Sequence, residues 1–230
     1  MNKVTILKAL LLTIGFRIVL EIFGMSIFLT EYIDMEYKTL FLWASSTLFL
    51  VPHILLLILF YFLLKREDLW CFNEPNVMQT PLLFKSIAII LGVCFVYLQI
   101  PLYHIYDLFD RGITFDGCFV PEKFDFEFWM LPRILAGVIL VPIVEELFFR
   151  GYLLKRLLDK HSAVIAILVS TLLFALIHLP DYIQAFNASV GGIVAGILYF
   201  KSKRIVIPIL FHITWNLIAE LDNFFKLPFM

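Results

Sequence analysis

The chain has 230 residues, 62% of them apolar, with 25 phenylalanines and a mean hydropathy of +0.94. Soluble domains are about 45–50% apolar, so this composition excludes a single soluble core and predicts a polytopic membrane protein. A net charge of −1 gives a nucleic-acid partner no electrostatic support. We therefore expect an all-α transmembrane helix bundle that contacts the lipid bilayer and binds no nucleic acid.

Seven apolar segments are candidates to cross a bilayer, which takes roughly 20 residues per helix. They cover residues 5–30, 39–64, 84–107, 128–153, 162–179, 184–200 and 204–222. The first begins like a signal peptide, but no small-residue cleavage site follows it, so we interpret it as an uncleaved helix. Within it, Arg17 and Glu21 are four residues apart and are expected to pair. An eighth span would require residues 108–127 to fold back into the membrane, and their charges disfavour this.

Lysines and arginines in the loops predict the orientation of the bundle. Most of them fall on one side if the N-terminus is cytosolic, including Lys65, Arg66, Lys201 and Lys203. Abundant Phe, Ile and Lys suggest an A·T-rich genome, so we expect an integral protein of a bacterial plasma membrane. The predicted division is an N-terminal helix pair, a cytosolic linker, a third span with an outer loop, a core and a C-terminal tail, at residues 1–64, 65–83, 84–127, 128–222 and 223–230.

The stretch "VEELFFRG", residues 144–151, places three charged side chains inside the fourth predicted span. A charge at mid-bilayer costs about 2.5–3.5 kcal/mol on insertion scales, so Glu145, Glu146 and Arg150 must face the bundle interior or a water-filled cavity. Glu146 and Arg150 are four residues apart and can pair on one helix face. Glu145 lies about 100° round the helix, which leaves it free to act as a base or to share Arg150 in part.

Three further polar residues have the same predicted depth as Glu145. Spans four and five form a hairpin that turns near residue 160, and Glu145 and His178 are nearly equally far from that turn. At 1.5 Å per residue they lie within about 5 Å of one depth. His212 and Asn216 share a face of the last span and enter the membrane to a similar depth. A lone membrane histidine is more often a packed polar group, so it is the coincidence across three helices that predicts a site.

These residues support two hydrolytic chemistries. In the first, Glu145 takes a proton from a water that His178 also holds, and His212 and Asn216 donate hydrogen bonds to the oxyanion, at about 3 kcal/mol per donor. In the second, the histidines and one glutamate bind zinc and the other glutamate is the base. The usual helical zinc signal, H-E-x-x-H, is absent, and spacing alone does not choose between the two.

Three motifs carry a resemblance to a known family. "EELFFRG" fits E-E-x-x-x-R, "FALIH" fits F-x-x-x-H and "HITWN" fits H-x-x-x-N, in the family's order and spacing. Over residues 130–220 the chain resembles the CAAX protease and bacteriocin-processing (CPBP, or Abi) family, which includes the type II CAAX prenyl endopeptidases. Residues 1–125 match nothing specific. The resemblance implies an intramembrane endopeptidase with a CPBP-like core at residues 128–222, acting on a peptide or membrane-protein substrate in peptide maturation or bacteriocin immunity.

The resemblance also implies a role for each motif residue. Glu145 and His178 would activate water, and His212 and Asn216 would form the oxyanion hole. Glu146 and Arg150 would support the site. The resemblance favours a glutamate mechanism without a cofactor; the alternative is a zinc ion held by Glu145, His178 and His212.

Two non-catalytic readings remain as alternatives. An immunity protein that acts by binding has no need of both Glu145 and His178 at one depth. A small transporter would need broken helices at mid-membrane, and the only hint of these is the group Gly191, Gly192 and Gly196. Gly192 and Gly196 instead predict a face on which another helix packs closely. We therefore favour the endopeptidase.

Overall fold

The computed structural model of the protein describes residues 6–24, 42–43, 46–47, 49–66, 80–111 and 128–225. Within these ranges all regular structure is helical and no strand occurs, which confirms the all-α prediction for them. The described part of the chain contains seven helical segments of 14 or more residues. They are α1 (Ile6–Gly24), α2 (Leu50–Arg66), α3 (Leu82–Arg111), α4 (residues 128–158), α5 (Ala163–Leu176), α6 (Tyr182–Ser202) and α7 (Val206–Phe225).

Several helices extend past their predicted boundaries. Lys65 and Arg66 form the last turn of α2 and not the start of a linker. Helix α3 begins at Leu82, and it continues to Arg111, so residues 108–111 are helical where an outer loop was expected. Hydropathy marks where an apolar run stops, whereas backbone hydrogen bonding can continue through polar residues. Residues 67–79 and 112–127, the rest of the predicted linker and loop, lie outside the described residues.

The described helices differ in how well they meet the requirements for a membrane span. Leu82–Gln99, within α3, and α6 are long and apolar enough to cross a membrane, while Ala163–Leu176 and Val206–Leu221 are apolar but shorter. Large apolar side chains are exposed along several helices, including Leu7, Leu59, Leu98 and Leu172. Such a surface suits contact with lipid better than contact with water. The count of seven or eight spans stays a prediction.

Helix α4 forms the centre of the core. Every residue from 144 to 154 is buried. Phe16 of α1 stacks on Phe148 at 4.8 Å between ring centroids, and Phe60 of α2 meets the same ring at 5.6 Å. Phe174 of α5 meets Phe149 at 5.0 Å. Three other helices thus pack aromatic rings on the segment that carries the charged motif.

Helices α5 and α6 pack closely because small residues face α5. A Cβ atom at Gly196 would lie 3.0 Å from Ile167 Cγ2, and one at Gly192 would lie 3.0 Å from Thr171 Cγ2. Both distances are shorter than ordinary contacts, so a side chain there would push the helices apart. The predicted small-residue packing face is confirmed.

Candidate active site

Helix α4 departs from regular α-helical geometry on both sides of the two glutamates. Residues Ala136–Leu140 and Leu147–Leu154 form π-helical turns, and the α-helical turn Val141–Glu146 lies between them. Pro142 accounts for the first of these, because a proline ring clashes with the carbonyl four residues earlier and a wider turn relieves that clash. Neither π turn was predicted from the sequence, although Pro142 is a signal for the first.

Glu146 and Arg150 form a buried ion pair on α4. Arg150 Nη1 donates to Glu146 Oε1 at 2.9 Å, and each side chain is 1% exposed. Arg150 Nη2 donates to the Gly192 carbonyl of α6 at 3.1 Å, and the guanidinium carbon lies 4.7 Å from the centre of the Phe174 ring. The predicted pairing is confirmed, and the close approach of α6 at Gly192 is what makes its carbonyl available.

His212 of α7 connects the two glutamates. Its Nδ1 lies 3.0 Å from Glu146 Oε1, the oxygen that also accepts from Arg150. Its Nε2 lies 3.8 Å from Glu145 Oε2, which is beyond hydrogen-bond distance. The Trp215 ring stacks on the imidazole with 5.1 Å between centroids. Sequence analysis placed His212 near this depth but missed its contact with Glu146, since no local spacing rule relates positions 146 and 212.

The buried cluster has hydrogen-bonding capacity to spare. Among the described side chains, Glu146 Oε2 and Arg150 Nε are buried and have no hydrogen-bond partner. Most buried polar atoms in proteins are hydrogen-bonded. Both atoms therefore retain hydrogen-bonding capacity, which a buried water molecule can satisfy.

His178 lies in the turn after α5, half-buried. Its Nδ1 is 2.8 Å from the Phe174 carbonyl, and because a carbonyl only accepts, Nδ1 carries the hydrogen. In the neutral imidazole, Nε2 is then the nitrogen free to accept a proton. The Phe174 ring meets His178 at 4.9 Å and His212 at 5.8 Å, so both imidazoles flank one aromatic ring.

Asn216 of α7 binds the first π turn of α4. Its Nδ2 donates to the Gly137 carbonyl at 2.9 Å. That carbonyl lacks the usual helical donors, because the Val141 N–H bonds to Ala136 and the next residue, Pro142, has no N–H. Asn216 was predicted to serve an oxyanion hole, which stays a prediction; in the structure its amide nitrogen holds α4 through the Gly137 carbonyl.

The predicted zinc ligands do not fit a zinc ion in their present arrangement. Within the described part of the chain, no three His, Cys, Asp or Glu side chains form a group that could hold a metal ion. Glu145 and His212 offer two atoms 3.8 Å apart, but His178 does not complete the set. A catalytic zinc site takes three protein ligands and keeps one position open.

Apolar space borders the polar layer on one side. A cavity of about 190 Å³ lies among α3, α6 and α7, with Phe95 and Phe186 in its wall. Phe95 meets Trp215 edge-on at 4.8 Å, and Trp215 stacks on His212. Trp215 therefore links the cavity wall to the imidazole.

Comparisons with known proteins define the class to which this part of the chain belongs. Residues 127–218 match the family described as "Type II CAAX prenyl endopeptidase Rce1-like". The matched stretch contains Glu145, Glu146, Arg150, His178, His212 and Asn216, so the part of the chain that carries these residues is similar to that family. The resemblance inferred from the three motifs is thereby confirmed for these residues.

A curated protein is similar to part of the chain. The chain is 31% identical over 83 residues to a protein of Bacillus subtilis (strain 168) named "Putative membrane peptidase YdiL". The similar stretch covers 36% of this chain and 34% of that protein, about a third of each. No solved structure matches the chain significantly.

Proposed function

We propose that the protein is an integral membrane endopeptidase in which Glu145 is the general base. One observation carries this proposal: Glu145 and the Nε2 atom of His212 converge to 3.8 Å in a buried layer of the Rce1-like domain. Glu146 is already bound to Arg150 and His212. Glu145 is therefore the carboxylate left to accept a proton.

The hydrolytic step uses a water molecule bound beside Glu145. A general base must lie within about 2.6–3.2 Å of the group that it deprotonates. Because Glu145 Oε2 and His212 Nε2 are 3.8 Å apart, a water bound to Glu145 lies next to a substrate carbonyl oxygen bound at His212 Nε2. His178 Nε2 is a further acceptor for this water. The water loses a proton to Glu145 and forms a bond to the amide carbon. The C–N bond then breaks, and the departing amine takes the proton back from Glu145.

Oxyanion stabilisation falls to His212 and Asn216. Nδ1 of His212 faces Glu146 Oε1 at 3.0 Å, so the Nε2 side of the ring is the side that can donate to the oxyanion when it carries a hydrogen. The second amide hydrogen of Asn216 provides a further donor.

The proposed substrate is a peptide or a membrane protein with apolar side chains near the scissile bond, since the cavity beside Trp215 is apolar. We propose that the protein acts in peptide maturation or bacteriocin immunity in a bacterial plasma membrane, with its N-terminus in the cytosol.

A transporter finds less support, because α6 is one continuous helix from Tyr182 to Ser202. Its glycines are accounted for by packing, since Gly192 and Gly196 face α5 and Gly191 faces Trp215 of α7 and Phe95 of α3.

The test is cleavage of a peptide library by the purified protein in lipid nanodiscs. We expect cleavage by the wild type and a fall of at least about 100-fold in kcat, with measurable residual activity, for Glu145→Gln and His178→Ala. His53→Ala is a matched control, because His53 Nδ1 also bonds a carbonyl four residues back at 2.8 Å and its ring also meets a phenylalanine, at 4.8 Å. A wild type that cleaves nothing, or a His178→Ala variant as active as His53→Ala, would contradict the proposal.

The same assay decides between the metal-free and the zinc mechanism. We expect cleavage to be unchanged by a chelator and by added zinc, because the described residues hold no three-ligand group. Loss of activity with chelator and its recovery with zinc would replace the metal-free mechanism by the zinc alternative while keeping the peptidase.

A further inference from the structure

We propose that Arg17 of α1, which lies outside the Rce1-like stretch, is a positioning residue for His178. This inference rests on the proposed function. It is carried by two hydrogen bonds that Arg17 makes to the backbone on either side of His178, and by the packing of the neighbouring Phe16 on the glutamate-bearing helix.

Arg17 holds the turn in which His178 lies. Its Nη1 donates to the Ile177 carbonyl, and its Nη2 donates to the Leu179 carbonyl at 3.0 Å. Carbonyls at the C-terminal end of a helix lack intrahelical donors, and α5 ends at Leu176. A planar guanidinium can satisfy two such carbonyls at once, and a positive charge is favourable at a helix C-terminus.

The position of Arg17 is fixed by its neighbour in sequence. Phe16 is buried and stacks on Phe148 at 4.8 Å with the rings 4° from parallel, and it meets Phe149 edge-on at 5.9 Å. Both rings belong to "EELFFRG". Helix α1 therefore contacts the two halves of the site, since Phe16 packs on the glutamate helix and Arg17 binds the His178 turn.

The other bonds of this turn leave the two carbonyls to Arg17. The N–H groups of His178 and Leu179 bond back to Ala175 and Leu176, and Asp181 caps the start of α6 by accepting from Gln184 N at 2.9 Å. These bonds hold the N–H groups of the turn and the start of α6, but they do not involve the carbonyls of Ile177 and Leu179. When Arg17 is removed, the carbonyls of residues 177 and 179 must find other donors, and the imidazole moves with the turn. A misplacement of about 1 Å can lower a rate about 100-fold.

The sequence prediction for Arg17 was a different one. It expected an ion pair with Glu21 on the same helix, and the Glu21 side chain lies outside the described ones. The long-range contacts of Arg17 reach across 160 and 162 positions of the chain. No helical spacing rule could have indicated them.

The experiment compares Arg17→Met, Arg17→Gln and Arg17→Lys with the wild type, using steady-state kinetics on a cleaved peptide in nanodiscs. Arg66→Met is the matched control, because Arg66 is an exposed arginine at the end of α2. A second readout is the imidazole NMR signal of His178 in histidine-labelled protein, assigned by its loss in His178→Ala. We also measure Arg17→Met in the His178→Ala background.

We expect Arg17→Met and Arg17→Gln to lower kcat about 10- to 100-fold with KM within about twofold, and to shift the His178 signal. Arg17→Lys should recover part of kcat, because an ammonium can serve one of the two carbonyls. Arg66→Met should change neither readout, and Arg17→Met should cause no further loss once His178 is absent.

An unchanged His178 signal in the folded Arg17→Gln variant would overturn the proposal. So would an equal fall in kcat with and without His178. If the wild type cleaves no peptide, the proposed function fails, and the His178 signal alone decides the positioning role: a shift in the Arg17 variants but not in Arg66→Met supports it.

Discussion

Glu146 Oε1 is the atom on which the buried cluster is centred, because it lies within 3.0 Å of both Arg150 Nη1 and His212 Nδ1. A buried ion pair contributes little net stability compared with apolar residues, but removal of one partner leaves an uncompensated charge. Replacement of one partner should therefore lower stability strongly, whereas replacement of both partners by apolar residues should lower it less. The value of the cluster to the protein lies in fixing the orientation of His212, whose Nε2 then points towards Glu145.

At the residue scale, Arg150→Met should lower the free energy of unfolding by about 3–5 kcal/mol, because Glu146 would stay buried without its cation. The double variant Glu146→Leu/Arg150→Met should recover more than half of that loss. Thermal and denaturant unfolding in detergent, followed by circular dichroism, measures both. Arg133→Met is the control, since Arg133 is exposed. Equal stability of the single and double variants would contradict this account of the pair.

Asn216 provides a second residue-scale prediction. Its amide donates to the Gly137 carbonyl, and a carboxylate cannot do so. Asn216→Asp should therefore destabilise the protein at least as much as Asn216→Ala, by about 1–3 kcal/mol. Thr214→Val is a matched control on the same helix, because Thr214 bonds only locally, to the Leu210 carbonyl at 2.8 Å. An Asn216→Asp variant as stable as the wild type in the same unfolding assay would argue against a stabilising role for the hydrogen bond between Asn216 of α7 and Gly137 of α4.

At the scale of elements, close packing of α6 against its neighbours holds the polar layer together. A Cβ atom at Gly191 would lie 2.6 Å from Trp215 Cζ3 and 3.3 Å from Phe95 Cε1. Because Trp215 stacks on His212, any shift of the indole is passed on to the imidazole. The first π turn of α4 also helps to hold the polar layer together, because it provides the Gly137 carbonyl that Asn216 of α7 binds.

Gly191→Ala should therefore lower both stability and activity. Overpacking of this kind costs about 1–3 kcal/mol, and the displaced Trp215 should also reduce kcat. Gly15→Ala is the control, because nothing lies within 4 Å of a Cβ atom there and alanine favours a helix over glycine. Unfolding and peptide cleavage of the two variants test the prediction. It is wrong if Gly191→Ala behaves like Gly15→Ala in both assays.

At the scale of the whole molecule, the features that sequence could predict are those set by local spacing and hydropathy. The Glu146–Arg150 pair, the Gly192 and Gly196 packing face and the helices themselves all follow from periodicity within one segment. The contacts of His212 with Glu146, of Asn216 with Gly137 and of Arg17 with the His178 turn could not be predicted. These contacts depend on which face each helix turns towards its neighbours. Tertiary packing determines that orientation, and spacing within one segment does not reveal it.

Helices outside the Rce1-like stretch also pack on the motif segment. Helices α1 and α2 lie outside residues 127–218, the Rce1-like stretch, yet Phe16 and Phe60 pack directly on Phe148 within "EELFFRG". The motif segment is buried from residue 144 to 154, and part of that burial comes from these two helices. We therefore expect the N-terminal helices to be needed for activity as well as for membrane anchoring.

The central claim is that Glu145 transfers the proton, and the most direct measurement is kcat/KM for Glu145→Gln on a peptide that the wild type cleaves. Glutamine keeps the shape of the side chain but cannot accept the proton, and general base catalysis contributes about 10²–10⁴-fold. Glu220→Gln is the control, a half-buried glutamate on the same helix as His212. The account predicts a fall of at least about 100-fold for Glu145→Gln and wild-type kcat/KM for Glu220→Gln. A Glu145→Gln variant within a few-fold of the wild type would contradict it.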